Sequence, residues 1–284
     1  MEERMKEIRE QEERIKMRME RIRHKLAILS GKGGVGKSTV TANLAVALAK
    51  KGYRTGILDA DVHGPSIPKL LGVRGEKLTA GLTGNQEIIP VDGPFGIKIV
   101  SMDFLLPADE TPVIWRGPMK TGAIRQLLAD VVWGDLDFLL IDLPPGTGDE
   151  PLSILQLIPD IDGILMVTAP SEVSQIVVRR AIGFTRELHA PLIGIIENMS
   201  GFVCPKCGAE FDVFGIGGGQ KISEELGVPF LGRIPIEQGI CEDSDRGTPF
   251  IIGHPDTPAA RSFMRMVDGI EHFLKRATKH TKEL

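Results

Sequence analysis

Cysteine is scarce: 284 residues contain three, too few to staple a chain of this length with disulfides. Long apolar runs are missing too. None reaches the ~18 residues of a membrane span, and the first twenty residues alternate charges where a signal peptide needs an apolar centre. A membrane role is not expected, and the expected location is the cytoplasm. Nor is there an excess of basic charge: 34 Lys and Arg against 38 Asp and Glu leave a net charge of −4. That removes the overall electrostatic pull a nucleic-acid coat protein needs, and no nucleic-acid partner is expected. What remains, 42% hydrophobic and 25% charged residues, is the composition of a globular chain with a sizeable core.

Residues 1–25 carry nine Lys or Arg and seven Asp or Glu. Met1, Met5, Ile8, Ile15, Met19 and Ile22 recur at steps of three and four, with Glu12 interrupting. Such a stripe marks a helical extension that either pairs with another subunit or lies on its own domain. Its shortness and its methionines favour the second reading. From residue 26 the texture changes to short apolar runs bounded by Gly, Pro and Asp, each followed by a helical pattern. Strands are expected over 26–29, 55–58, 97–101, 138–141, 164–168, 192–197 and 230–233. Several are apolar on both faces, which predicts an α/β fold with a mostly parallel sheet and helices on both faces. Residues 64–94, rich in Gly and Pro, read as an excursion from the sheet. The expected organisation is an extension over 1–25, one domain over 26–275 and a polar tail over 276–284.

Directly after the first strand come Gly31, Lys32, Gly33, Gly34, Val35, Gly36, Lys37, Ser38 and Thr39. They satisfy G-x-x-x-x-G-K-[ST] in the strand-loop-helix context that pattern requires. Glycines let backbone N–H groups turn toward phosphate oxygens, the following helix presents its positive end, and Lys37 adds a cation. ATP with Mg2+ is the expected ligand, Ser38 a metal ligand. The extra Lys32 is not needed to build the turn. The pattern K-G-G-x-G-K-[ST] resembles the deviant Walker A ATPases, the group of MinD, ParA and the nitrogenase iron protein. That resemblance implies a P-loop NTPase of the MinD/ParA type working as a homodimer, with Lys32 reaching the partner's nucleotide.

Asp59 and Asp61 close the second strand, at the carboxyl edge where ligands of open α/β sheets bind. Matched to the family's first switch, Asp61 would orient the attacking water; Asp59 would serve either metal hydration or a turn. The run 138–142, four apolar residues ending in Asp142, looks like a Walker B strand that holds Mg2+ partly through water. Beyond it lies Leu-Pro-Pro-Gly-Thr-Gly-Asp (143–149), where Gly146 would offer its N–H to the γ-phosphate.

Cys204 and Cys207 follow Asn-Met-Ser-Gly-Phe-Val (198–203). Two thiolates so spaced converge on one metal or one cluster face, but a closed site needs four ligands. Taken together, the loop, D-A-D-x-x-G-P-S, D-x-P-P-G-T-G-D, N-M-S-x-x-x-C-x-x-C and F-G-x-G-G-G resemble the Mrp family of iron-sulfur cluster carriers, also called ApbC-like, from about residue 26 to 275. The resemblance implies an ATPase of slow turnover that holds a [4Fe-4S] cluster between two subunits and passes it to apo iron-sulfur proteins. It also implies that Asn198 contacts the adenine and that Pro235 lies in the second base-contacting segment, although Pro235 reads equally as a strand terminator. Zinc in place of the cluster, redox chemistry at the cysteines, and a MinD/ParA-type positioning ATPase with a structural zinc bridge are the alternatives. The C-terminal segment is too polar for the membrane helix of MinD-type proteins. Cys241 falls outside the pattern and reads as a buried or incidental thiol, His63 as a loop residue. Trp115, Arg116, Gly117 and Pro118 share in the resemblance without an evident chemical role.

Overall fold

A computed structural model describes residues 2–81, 87–105, 117–146, 148–187, 190–204 and 206–282. Trp115, Arg116, Thr147 and Pro205 lie outside the described residues. Nine strands form one sheet: β1 (Ile22–Ser30), β2 (Thr55–Asp59), β3 (Val91–Asp92), β4 (Lys98–Ser101), β5 (Leu136–Asp142), β6 (Gly163–Thr168), β7 (Leu192–Val203), β8 (Glu210–Phe211) and β9 (Phe230–Ile236). Their order is β8-β7-β6-β1-β5-β2-β4-β3, with β9 also paired to β7. Within this sheet, among the described residues, only β3 on β4 and β8 on β7 run antiparallel. The parallel pairs need crossovers, and the longer helices supply them: α2 (Lys37–Lys50), α3 (Gly117–Asp130), α4 (Asp149–Leu157), α5 (Glu172–Glu187) and α6 (Gly218–Leu226). An N-terminal helix α1 (Glu2–Met19), then α7 (Gln238–Arg246) and the long α8 (Pro258–Lys282), complete the set.

Alternation along each strand divides the core in two, because successive side chains point to opposite faces. Leu26 and Ile28 of β1, Phe138 and Leu140 of β5, and Leu165 and Val167 of β6 pack with α2 and α8. Their neighbours Ala27 and Leu29, Leu139 and Ile141, and Ile164 and Met166 pack with α1, α3, α4, α5 and α6. Both faces are therefore dry, which is why these strands read as unbroken apolar runs.

Two strands run longer than their sequence suggests. β1 starts at Ile22, four residues before the expected start, because Ile22 pairs with Leu136 and is itself core. β7 continues past Glu197 to Val203 because β9 and β8 pair along its extension. The polar run Asn-Met-Ser-Gly hid this extension. It is tolerated as strand through left-handed backbone at Met199 (φ 59) and Gly201 (φ 77) and a shifted register opposite Ile234 and Ile236.

The stripe on α1 lies on its own domain over its second half. Ile15 is 3% and Met19 1% exposed, whereas Met5 is 52% exposed. Ion pairs from Arg14 to Asp130 and from Arg125 to Glu12 fix the helix along α3. The segment expected as a polar tail continues α8 to Lys282.

Ile15→Ala is therefore expected to cost ~2–4 kcal/mol of stability, and Met5→Ala within about 0.5 kcal/mol, in chemical denaturation. Equal losses would show that the helix is not seated as described.

Candidate nucleotide and metal site

The parallel sheet delivers its functional residues at the carboxyl ends of β1, β2, β5 and β7. The loop after β1 enters α2 through Gly36, whose φ of 78 a side chain would strain, and Gly34 shares that φ. Space is also short: a Cβ on Gly36 would stand 2.2 Å from Asn198 Nδ2, and one on Gly31 2.6 Å from Val177 Cγ1. Asn198, 163 positions away on β7, donates from Nδ2 to the Val35 carbonyl at 2.9 Å. Lys32 is half-exposed at the loop's rim, and among the described residues its ammonium has no ion-pair partner. Gly33 and Gly34 are exposed, Ser38 and Thr39 half-buried.

Asp142 organises the centre. Fully buried, it accepts from Lys37 Nζ at 2.7 Å, from Ser38 Oγ at 2.6 Å and, through its other oxygen, from Thr41 Oγ1 at 2.6 Å. A buried carboxylate is tolerable only when so satisfied. Lys37, Ser38 and Asp142, expected from the sequence to share a site, stand together. Thr41 was missed; its signal was its place one helical turn after Lys37.

Asp59 is the register partner of Asp142 on β2. Burial, and then the Asp142 charge, push its carboxyl up to about 8 against the pull of Lys37 and of the hydrogen bonds from Ser101 Oγ (3.0 Å) and the Ile67 N–H (3.2 Å). Asp61 is buried at the start of the following loop and accepts from the N–H groups of His63 (3.2 Å) and Gly64 (3.3 Å), so its carboxylate shapes its own turn. Gly146, expected to offer its N–H outward, instead donates it to the Ser30 carbonyl at 2.8 Å, because the contact between β1 and β5 continues past the strand ends.

A cavity of about 300 Å³ opens beside Gly36 and Thr39, with Asn198, Met199, Pro235 and Cys241 in its wall. Asn198 and Pro235, which the family resemblance paired as base contacts, thus line one cavity. β9 runs one residue past Pro235, so the proline does not end the strand. Cys241 is exposed, not buried as one reading had it. A second cavity of about 600 Å³ shares Pro235, Ile236 and Glu237 with the first and extends to Phe202 and Val203.

Val203 leads into the cysteine turn. Cys204 N–H donates to Ala209 O and Gly208 N–H to Cys204 O, both at 2.9 Å, closing a knuckle between β7 and β8. Hydrogen bonds from the backbone of Lys206 and of Cys207, then from the Cys207 side chain, hold the Cys204 thiol below its usual range, which favours the thiolate that binds metal. Among the described residues no group of three or more His, Cys, Asp or Glu could hold a metal, so the pair has no further ligand from this chain there. Glu197 was also missed. Fully buried just before Asn198, it accepts from Ser200 Oγ and from the N–H groups of Gly217 (2.9 Å) and Gly219 (2.5 Å), pinning the glycine-rich loop that follows the cysteines.

A phosphate-binding loop feeding a helix, two aspartate-ended strands beside it and a parallel sheet define a P-loop nucleotide-binding protein. Comparison with known proteins narrows the class. The family described as NUBPL iron-transfer P-loop NTPase (ParA) matches residues 21–271, and the chain belongs to it. It is 53% identical over 257 residues to the iron-sulfur cluster carrier protein of Saccharolobus solfataricus, covering 90% of this chain and 86% of that one. To the protein of the same name from Methanocaldococcus jannaschii it is 56% identical over 261 residues, 92% and 88% of the two chains. Among solved structures, a nucleotide-binding protein from Archaeoglobus fulgidus in complex with ADP superposes with a TM-score of 0.77 at 40% identity, over 89% of this chain and 96% of that one. MinD of Pyrococcus horikoshii with Mg-ADP gives 0.63 at 24% identity, over 86% and 93%, a likeness of fold.

The raised Asp59 carboxyl has a consequence for stability. A group that keeps its proton to about pH 8 in the fold, but loses it near pH 4 when unfolded, binds more protons folded than unfolded. Stability then falls as pH rises across that window, by up to about 1.4 kcal/mol per unit. Asp59→Asn should flatten this fall, so that denaturation midpoints at pH 5 and pH 8 converge relative to the parent. An unchanged slope would refute the assignment.

Proposed function

We propose that the protein is an ATP-hydrolysing carrier that holds a [4Fe-4S] cluster between the Cys204 and Cys207 pairs of a homodimer and delivers it to apo iron-sulfur proteins of the cytoplasm. The observation that carries this reading is the cysteine knuckle: two thiols at a hairpin tip, Cys204 half-buried and held below its usual range by hydrogen bonds and Cys207 exposed, with no further ligand among the described residues. A cubane needs four thiolates, and a two-fold axis supplies the other two. Val203, Phe211, Val213, Phe214 and Ile216, all exposed and close in sequence to the knuckle, offer an apolar surface for that contact. The naming of the relatives at 53% and 56% identity supports cluster carriage over a positioning ATPase with a zinc bridge, for which only a fold likeness speaks.

The nucleotide side is supported by the same logic of charge. Lys37 stands between Asp142 and the loop, so an arriving triphosphate offers its ammonium new anionic partners, and Ser38 with Asp142 can then hold Mg2+, Asp142 partly through water. Gly31, Gly33, Gly34, Val35, Gly36 and Thr39 supply the backbone cradle. Asn198 and Pro235 flank the base, Asp61 orients the water, and Lys32 reaches across to the partner's nucleotide. Mg2+ supplies neutralisation of the charge that spreads over the transferring phosphoryl group. β7 joins the two chemistries: Asn198 touches the phosphate loop, and six residues later the strand presents Cys204.

Cys204→Ser or Cys207→Ser should lose the iron bound after anaerobic reconstitution and weaken the dimer, while Cys241→Ser keeps about four irons per dimer. A Cys241→Ser protein without iron, or four irons on a monomer, would overturn the bridge. Lys37→Ala should weaken ATP binding by on the order of 100-fold in calorimetry, through loss of a charge-assisted contact. Lys32→Ala should lower turnover more than affinity; equal turnover would contradict the shared site.

A further inference from the structure

Lys120 lies in the first turn of α3, three residues after Gly117 and just beyond the stretch 115–118. Its side chain is 12% exposed and reaches two elements at once. Nζ contacts His63 Nε2 at 2.5 Å and Glu150 Oε1 at 2.5 Å, and those two atoms stand 3.4 Å apart. The three side chains therefore converge on one point, although they come from α3, the loop after β2 and the first turn of α4.

The placement of the two partners gives the convergence its meaning. His63 sits on the turn that Asp61 shapes by accepting the His63 and Gly64 N–H groups, so the imidazole is tied to the Asp61 carboxylate by two residues of hydrogen-bonded backbone. Glu150 follows Gly146 by four residues, at the start of α4, where a carboxylate is favoured by the helix dipole. These are the two segments that would face the terminal phosphate, and here the inference rests on the functional reading above. An ammonium group has three donors and one charge, so it can serve a neutral imidazole nitrogen and a carboxylate together. A displacement of either segment leaves a largely desolvated cation with half its partners, which opposes independent movement.

We propose that Lys120 is a positioning residue whose ammonium ties His63 and Glu150 together, so that the loop carrying Asp61 and the first turn of α4 move as one unit. The tie gives α3, and α1 packed along it, a mechanical hold on both segments.

The test is amide hydrogen exchange on the full chain, with and without a non-hydrolysable Mg-ATP analogue, alongside steady-state hydrolysis. Lys120→Met should raise exchange roughly tenfold in both 62–66 and 149–152, the change expected from losing one charge-assisted hydrogen bond, while β2 and β5 keep the parent's protection. Glu150→Gln, a milder change, should raise exchange in 62–66, on the segment it does not belong to. Lys120→Arg should restore protection. In turnover, Lys120→Met should lower kcat about tenfold with KM within about twofold while circular dichroism shows an unchanged folded fraction, because a loss of folded enzyme alone would lower apparent kcat in the same way. A rise confined to the substituted residue's own segment, a rise spread through the central strands, or no rise at all would overturn the tie. The exchange result stands without turnover: a parent protein that hydrolyses no ATP would refute the ATPase reading and leave the exchange data to decide the tie.

Discussion

Three donors on one buried carboxylate hold the centre of this molecule together. Asp142 has no contact with water, so its charge must be met inside the protein, and Lys37, Ser38 and Thr41 meet it from one face of α2. Because the donors sit on the first turns of the helix, the carboxylate fixes where α2 starts. It thereby fixes the curl of the loop from Gly31 to Gly36, which must join β1 to that start. The same carboxylate faces Asp59 across a register pair. Burial first, and then the charge of Asp142, hold the proton on Asp59.

β7 extends that organisation outward. Glu197, Asn198 and Cys204 are within eight residues of one another along this segment, yet each serves a different structure: the glycine-rich loop, the phosphate loop and the knuckle. A rise of about 3.3 Å per residue sets an upper limit of roughly 20 Å between Asn198 and Cys204, so one strand connects both. The kinked stretch at Met199 and Gly201 lies between them.

The local part of this architecture was legible beforehand. Apolar runs alternating with helical patterns marked the central strands β5 and β6 most clearly, since burial on both faces leaves few polar positions to interrupt them. Where a strand is polar, as β7 is from Asn198 to Ser200, the pattern failed, because pairing with β9 rather than burial of an apolar stripe makes it a strand. The start of β1 was missed for a related reason: charged residues beside Ile22 obscured a position whose burial comes from α1, which precedes it.

Sequence alone determined the phosphate loop, the aspartates that end β2 and β5, and the cysteine pair, because in each the chemistry depends on residues a few positions apart and the spacing carries the geometry. Only the tertiary structure decided what these groups touch. Asn198 on Val35, Gly146 on Ser30, Thr41 on Asp142, and Lys120 between His63 and Glu150 are contacts across 30 to 163 positions. They are set by the order and register of parallel strands, and a register is a property of two strands together, which no local run of residues specifies.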